Sequence, residues 1–490
     1  MGYCRKLLLF ACAAVAFAQP STLTKDDVRR VVEAAATSID SNSLVIAVTD
    51  RQGDILAVFR KSAAPGIILG NFGFDTDANE LAVGLARTAG FFSNAQAPLS
   101  SRTVRYISGI HFPPGILYTG NAALYGIENT NRGCIIGADY APGKSVPPAR
   151  SIDGASTGAG IVTGKADLLD SDPSAVNPGG VPLYKNGQVV GGIGVAGVAP
   201  DLAEYASFIG AAAAGFLPTA IPAPGVVFID GIALPFVDNT TAPGGIALGT
   251  LTGSYVVEPK DAPGPAPEGD LVIPRAGSQL TAQEVRQIID RAIATANETR
   301  AVIRLPLGSR ARMVIAVADL DGTILALHRM DDATFFSIDV ALAKSRNVIY
   351  FSSKNLHPGD LPRVPPGTAV SNRTIGFGAQ PLFPPGIDFS ENRGPFFDLY
   401  IHDVVNPCTQ GSQANGNQNG VVFFPGALPL YRNGVLIGGV GVSGDGVEQD
   451  DFVSAAAAKG FEPPRDHRAD RVQIDGVRLP YLKFPRNPTQ

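Results

Sequence analysis

Apolar positions along the chain come in short continuous runs broken by polar, glycine-bearing turns. Leu44-Val45-Ile46-Ala47-Val48 is followed by Thr49-Asp50-Arg51-Gln52-Gly53-Asp54 and then by Ile55-Leu56-Ala57-Val58-Phe59. Two apolar, β-branched runs joined by such a turn predict a β-hairpin. The pattern returns at Met313-Val314-Ile315-Ala316-Val317 and Ile324-Leu325-Ala326-Leu327, across Asp319-Leu320-Asp321-Gly322. A second hairpin is predicted around Asn186-Gly187, between Pro182-Leu183-Tyr184 and Val189-Val190-Gly191-Gly192-Ile193, and recurs around Asn433-Gly434. Asn-Gly is a strong tight-turn signal because both residues tolerate positive φ.

Helical signals repeat in the same order. Leu23 to Arg29 opens a helix that recurs at Leu280 to Arg286, with Thr24 and Thr281 each preceding an acidic residue three positions on, Asp27 and Glu284. The second pair fits a capping box, in which side chain and backbone at the helix start satisfy one another. Helical stretches follow each first hairpin, ending at 85–93 and 343–352, and an Ala-rich helix follows each second hairpin, at 211–216 and 455–461. A closing strand is expected at 229–236 and again at 474–481.

A duplication therefore organises the chain, with a first repeat at 23–237, a second at 280–482, and a Pro/Gly-rich linker at 238–279 that is expected to be extended. The order helix, hairpin, helix, long insert, hairpin, helix, strand predicts an α+β fold, each copy an antiparallel sheet with helices packed on it. The inserts at 94–180 and 353–428 exceed ordinary connections, and loops of such length are usually functional.

The length of 490 residues, about three times the ~150-residue prior for one domain, is accounted for by this arrangement. Only 17% of residues are charged, the formal net charge is −5, and no run of Lys or Arg forms a basic arm, so nucleic acid is not an expected partner. Arg5 and Lys6, the apolar run Leu7 to Phe17, and Ala16-Phe17-Ala18 form a secretory signal peptide pattern over 1–18. Cleavage after Ala18 is expected, giving an exported, periplasmic or extracellular protein with no membrane span. A lipid anchor at Cys12 is the competing reading. Of the remaining cysteines, Cys134 and Cys408, export permits a disulfide, and two separate thiols remain the alternative.

Ile46-Ala47-Val48 with Asp50-Arg51-Gln52-Gly53, Lys344-Ser345-Arg346, and Gly438-Gly439-Val440-Gly441-Val442-Ser443-Gly444 followed by Glu448-Gln449-Asp450 together resemble the GlcG/HbpS family of haem-binding proteins, which includes the C-terminal domain of PduO. The resemblance implies a five-stranded antiparallel sheet flanked by helices, present twice. It implies haem as cofactor, with haem degradation or sensing as extensions. It also implies that the two repeats form a dimer-like pair within one polypeptide, with room for a higher oligomer. An enzyme acting on another small molecule and a non-catalytic interaction module are the alternatives. The first repeat departs from the pattern, having Asp201-Leu202-Ala203 where the second has Glu448-Gln449-Asp450.

Candidate ligands of a haem iron are His111, beside Phe112-Pro113-Pro114-Gly115, and His402, in the aromatic neighbourhood of Phe396, Phe397 and Tyr400. Arg60 with Arg329, and Arg87 with Arg346, are paired cations suited to propionates, or else ties between helix and sheet. Glu448 and Asp450 are candidate iron ligands or helix caps. Gly192, Gly194 and Gly197, with Gly439, Gly441 and Gly444, match G-x-G-x-x-G, but their alternation with Ile193, Val195, Val440 and Val442 favours a strand packed closely on its neighbour. Gly154-Ala155-Ser156-Thr157-Gly158 matches the nucleophile-elbow pattern in a setting that favours a loop.

Overall fold

A computed structural model describes residues 22–70, 75–107, 161, 178–218, 226–229, 232–380, 383–384, 392–406, 411–412 and 419–490. In the first repeat the elements are α1 (Lys25–Thr37), β1 (Val45–Asp50), β2 (Ile55–Lys61), β3 (Ile67–Leu69), β4 (Asp75–Asp77), α2 (Ala78–Phe92), α3 (Ser101–Ile107), β5 (Gly180–Lys185), β6 (Gln188–Ala196), α4 (Pro200–Ala213), β7 (Val226–Ile229) and β8 (Ile232–Pro235). The linker region carries β9 (Gly253–Val257) and β10 (Gly269–Val272). The second repeat has α5 (Ala282–Glu298), β11 (Val314–Ala318), β12 (Ile324–Arg329), α6 (Ser337–Phe351), α7 (Asn372–Gly378), α8 (Phe397–Val405), β13 (Ala427–Arg432), β14 (Val435–Ser443), α9 (Val447–Ala457), β15 (Gln473–Ile474) and β16 (Val477–Arg478).

Two five-stranded antiparallel sheets result, in the orders β5-β6-β1-β2-β9 and β13-β14-β11-β12-β10. Their registers correspond: Val45 faces Arg60 and Ala196, and Val314 faces Arg329 and Ser443. The expected capping box is present at Thr281 with Glu284, and Thr24 with Asp27 forms one as well. At both Asn-Gly turns, Asn186 and Asn433 take φ near +50° and the following glycines φ near +75°, the double positive-φ geometry of a tight hairpin.

Each central strand is buried along its whole length because helices cover both faces of its sheet. The glycines of β6 and β14 make this possible. A Cβ at Gly192 or Gly194 would lie 2.1 or 2.0 Å from the carbonyl oxygens of Ala86 and Ala82 on α2, and one at Gly441 would lie 2.2 Å from that of Ala341 on α6. The fingerprint-like glycines thus bring a helix against a strand backbone. Ile193, between two of them, points the other way, toward Gly210 of α4, against which α1 also packs.

The expected closing strands at 229–236 and 474–481 are corrected by the structure. Each folds back on itself, as the hairpins β7–β8 and β15–β16, and neither joins its five-stranded sheet. The second turns at Asp475 and Gly476, both at positive φ; Asp-Gly is itself a hairpin signal, and it stands in both repeats within the run read as one strand. The fifth strand of each sheet comes from the linker region instead. Phe59 of β2 pairs with Tyr255 of β9, their rings edge to face at 5.0 Å, and Arg329 of β12 pairs with Gly269 of β10.

The repeats pack on each other through non-equivalent surfaces. Phe91 and Phe92, at the end of α2, meet Phe335 and Phe336, just before α6, and Phe92 stacks on Phe336 at 4.1 Å with the rings 13° apart. Backbone and side chain reinforce the joint, with Phe335 N–H donating to Phe91 O at 3.0 Å and Asn94 Nδ2 to Ile303 O at 2.9 Å. Among the described residues no helix is long and apolar enough to cross a membrane.

Candidate functional site

Arg87 and Arg346 occupy matching places in the two repeats and do matching work. Arg87 Nε donates to Gly53 O at 3.1 Å and Arg346 Nε to Gly322 O at 2.9 Å. Each reaches from the long helix to the turn of the first hairpin, and both side chains are fully buried. The geometry favours the tie between helix and sheet. Arg60 binds Asn79 Oδ1 and the carbonyls of Ala64 and Pro65, holding the chain that follows β2. Arg329 likewise donates twice to Ala333 O, but it also borders a cavity described below.

Glu448 and Asp450 diverge although they share one turn of α9. Glu448 pairs with Lys483, whereas Asp450 is buried and accepts from Lys344 Nζ at 2.9 Å. Among the described residues no group of three or more His, Cys, Asp or Glu side chains converges as a metal site. Lys344 also donates to Val442 O at 2.7 Å and lies 4.5 Å from the centre of the Phe424 ring. Burial pushes the Asp450 carboxyl up to about 7 against the pull of Lys344, and it pushes the Lys344 ammonium down. Next to it, Asp451 accepts from Arg373 Nε at 2.5 Å, and burial raises its carboxyl as well.

The Asp451 clamp recurs in the first repeat and the Lys344 pair does not. Glu204 takes the place of Asp451 and holds Arg102 through both oxygens, at 2.7 and 3.0 Å. Leu85 and Ala203 stand where the second repeat has Lys344 and Asp450, as shown by the glycines facing them: a Cβ on Gly179 would meet Val195 O and Ala203, and one on Gly426 would meet Val442 O and Asp450. The loss of the pair is thus coordinated, with both charges absent together.

His402 lies on α8, partly exposed, and its imidazole has no hydrogen bond among the described residues. Its helix carries Phe397, over which the Arg393 guanidinium sits at 4.7 Å, and the buried Tyr400, whose ring stands edge to face with Phe423 at 5.5 Å. Other described histidines are engaged: His328 Nδ1 is 2.7 Å from Asp270, His357 Nδ1 accepts from Gly359 N–H, and His467 packs near Tyr431. His111, Cys134, Cys408, the Gly154–Gly158 motif and the signal segment lie outside the described residues.

Sequence reasoning passed over a cavity of about 460 Å³ where the two repeats and the linker meet, lined by Thr22, Arg51, Val189, Val190, the 262–268 segment, Arg329 and Asp332 among others. Arg51 and Arg329 come from opposite repeats. Arg329 is pushed down to about 10, first by burial and then by the charge of Arg51. Arg304, buried behind the cavity wall, pairs with Asp445 and donates to Asp332 at 2.7 Å. The signal missed was Arg51 itself, read as a turn residue and as part of the family-like motif but not as a binding group.

Residues 280–459 match the family model described as "Haem degrading protein HbpS-like". A 15.0 kDa protein of the dhaT-dhaS intergenic region of Citrobacter freundii is 27% identical over 153 residues, covering 30% of this chain and 75% of its own length. Among solved structures, a PduOC:heme complex shares 23% identity with a TM-score of 0.24, over 37% of this chain and 93% of its own. Klebsiella pneumoniae ORFY shares 21% with a TM-score of 0.26, over 38% and 93%.

Proposed function

We infer, from the match of residues 280–459 to the HbpS-like family model, that the chain binds haem and that the second repeat carries the binding. The family match over that repeat carries the reading. The residues present fit the group: His402 offers a free imidazole nitrogen, the usual kind of axial ligand, on a helix anchored in the core by the buried Phe397 and Tyr400. Haem when bound would supply iron redox chemistry. The chain's own contribution would be to hold an imidazole on a helix anchored by the buried Phe397 and Tyr400, with the Arg393 cation over Phe397 of that helix.

The sequence supports delivery of this binder outside the cytoplasm, since the 1–18 segment has a basic start, an apolar run and a small-residue cleavage pattern. We read the two repeats as taking the place of separate subunits within one polypeptide, in contact through non-equivalent surfaces where Phe92 stacks on Phe336.

Titration of the purified chain with hemin tests the reading. A saturable Soret shift is expected, with at least a tenfold weaker affinity or a changed ligand-field spectrum in His402→Ala. Absence of a saturable shift in the unaltered chain would overturn haem binding, and an unchanged spectrum in the variant would remove His402 as ligand. Incubation of the loaded protein with a reductant, followed as bleaching of the Soret band with iron release, separates breakdown of haem from carriage.

A further inference from the structure

We propose that the cavity between the repeats is a binding site for a small organic carboxylate, with Arg51 as the group that recognises it. This site is separate from the His402 region and does not rest on the haem reading. Its volume, about 460 Å³, falls within the ~300–1,000 Å³ span of small-molecule pockets.

The charged groups that border the cavity are almost all engaged by the protein. Arg329 donates to Ala333 O and Pro267 O and lies 3.5 Å from Glu268. Glu268 in turn accepts from Asp332 N–H at 2.9 Å, and the Asp332 carboxylate accepts from Arg304 and from Ala95 N–H. Arg51 is the exception. Its side chain is more than nine-tenths buried, its Nη1 donates to Gly90 O, and its Nη2 has no hydrogen-bond partner and no carboxylate within ion-pair distance among the described residues.

A guanidinium withdrawn from water with an open donor is costly unless something accepts from it. Arg51 and Arg329 both line the pocket, so an acceptor entering it meets two guanidinium groups, and a small rotation of the Arg51 side chain would let it complete the open donor. A carboxylate suits this arrangement because its two oxygens match guanidinium geometry. The rest of the lining selects the body of the ligand: Val189, Val190, Pro265, Ala266 and Pro267 offer apolar surface, so a carboxylate with a compact apolar body fits better than a fully hydrated inorganic anion.

The second repeat supplies the test variant. Leu320 occupies the turn position equivalent to Arg51, so Arg51→Leu places in the first hairpin a side chain that the same turn already accommodates elsewhere in the molecule. The full chain, its Arg51→Leu variant and its Arg51→Lys variant would be titrated with benzoate, succinate and inorganic phosphate, reading heat of binding and thermal midpoint. Expected is saturable binding of benzoate stronger than that of phosphate, lost at least tenfold in Arg51→Leu and partly kept in Arg51→Lys, with unchanged far-ultraviolet dichroism in all three. No saturable carboxylate binding by the unaltered chain, or equal binding by a folded Arg51→Leu variant, would overturn the site. Hemin titration of the same variant identifies the source of the carboxylate: undiminished hemin affinity assigns the site to a free acid, and a parallel loss with benzoate competing assigns it to the carboxylates of the larger ligand.

Discussion

Lys344 donates to Asp450 across 2.9 Å inside the second repeat, and the first repeat replaces this buried pair with Leu85 and Ala203. The same scaffold therefore accepts either two opposite charges or two apolar side chains at one place. Removing a single partner leaves an uncompensated charge away from water, which costs far more than removing both.

Accordingly, Asp450→Ala alone is expected to lower stability by roughly 3–5 kcal/mol, while the Lys344→Leu, Asp450→Ala double variant should lie within about 1 kcal/mol of the unaltered chain or above it. Urea denaturation of the four members of the cycle measures this. Additive losses would show that the pair does not act as a unit.

The inter-repeat joint depends on few rings, with Phe336 stacked on Phe92 and both almost completely buried. Phe336→Ala should cost about 3–5 kcal/mol and weaken the coupling between the two sheets. Calorimetry is expected to show one unfolding transition separating into two. A single transition at an unchanged midpoint would mean that the repeats are held by other contacts.

At the start of α1, burial raises the Asp27 carboxyl, but the bonds from Lys185, Thr24 and Arg30 outweigh it and bring the group down to about 2, against an ordinary 3.8. A carboxylate lowered in the folded state contributes stability that is present above the unfolded value and lost as pH falls toward the folded one. Asp27→Asn should therefore destabilise the chain by about 1–2 kcal/mol at pH 7, with the difference shrinking between about pH 4 and pH 2. Chemical denaturation of both proteins across that window measures it, and a pH-independent difference would assign the loss to shape and not to charge.

Much of the frame was legible in local signals. The hairpins could be read because Asn186-Gly187 and Asn433-Gly434 dictate turn geometry by themselves, and the alternation of Gly192 and Gly194 with Ile193 already implied a strand packed closely on its neighbour, which the structure identifies as α2. The closing strands were misread because hydrophobic continuity outweighed the Asp-Gly turn at Asp475-Gly476. The linker's polar and proline-rich composition concealed that β9 and β10 complete both sheets, since an edge strand needs only backbone pairing on one side and little apolar character of its own.

The site was harder to read, for a related reason. In sequence Arg87 and Arg346 suit either a propionate or a tie between helix and sheet, and only their reach to Gly53 O and Gly322 O decides for the tie. Arg51 looks like an ordinary turn residue until the second repeat covers it. By itself the sequence determined the duplication, the element order and the hairpin turns, all of which depend on residues close together in the chain. Tertiary structure alone decided which charges are buried, which are partnered and where a cavity opens, because desolvation and pairing are set by neighbours such as Asp450 to Lys344, 106 positions apart.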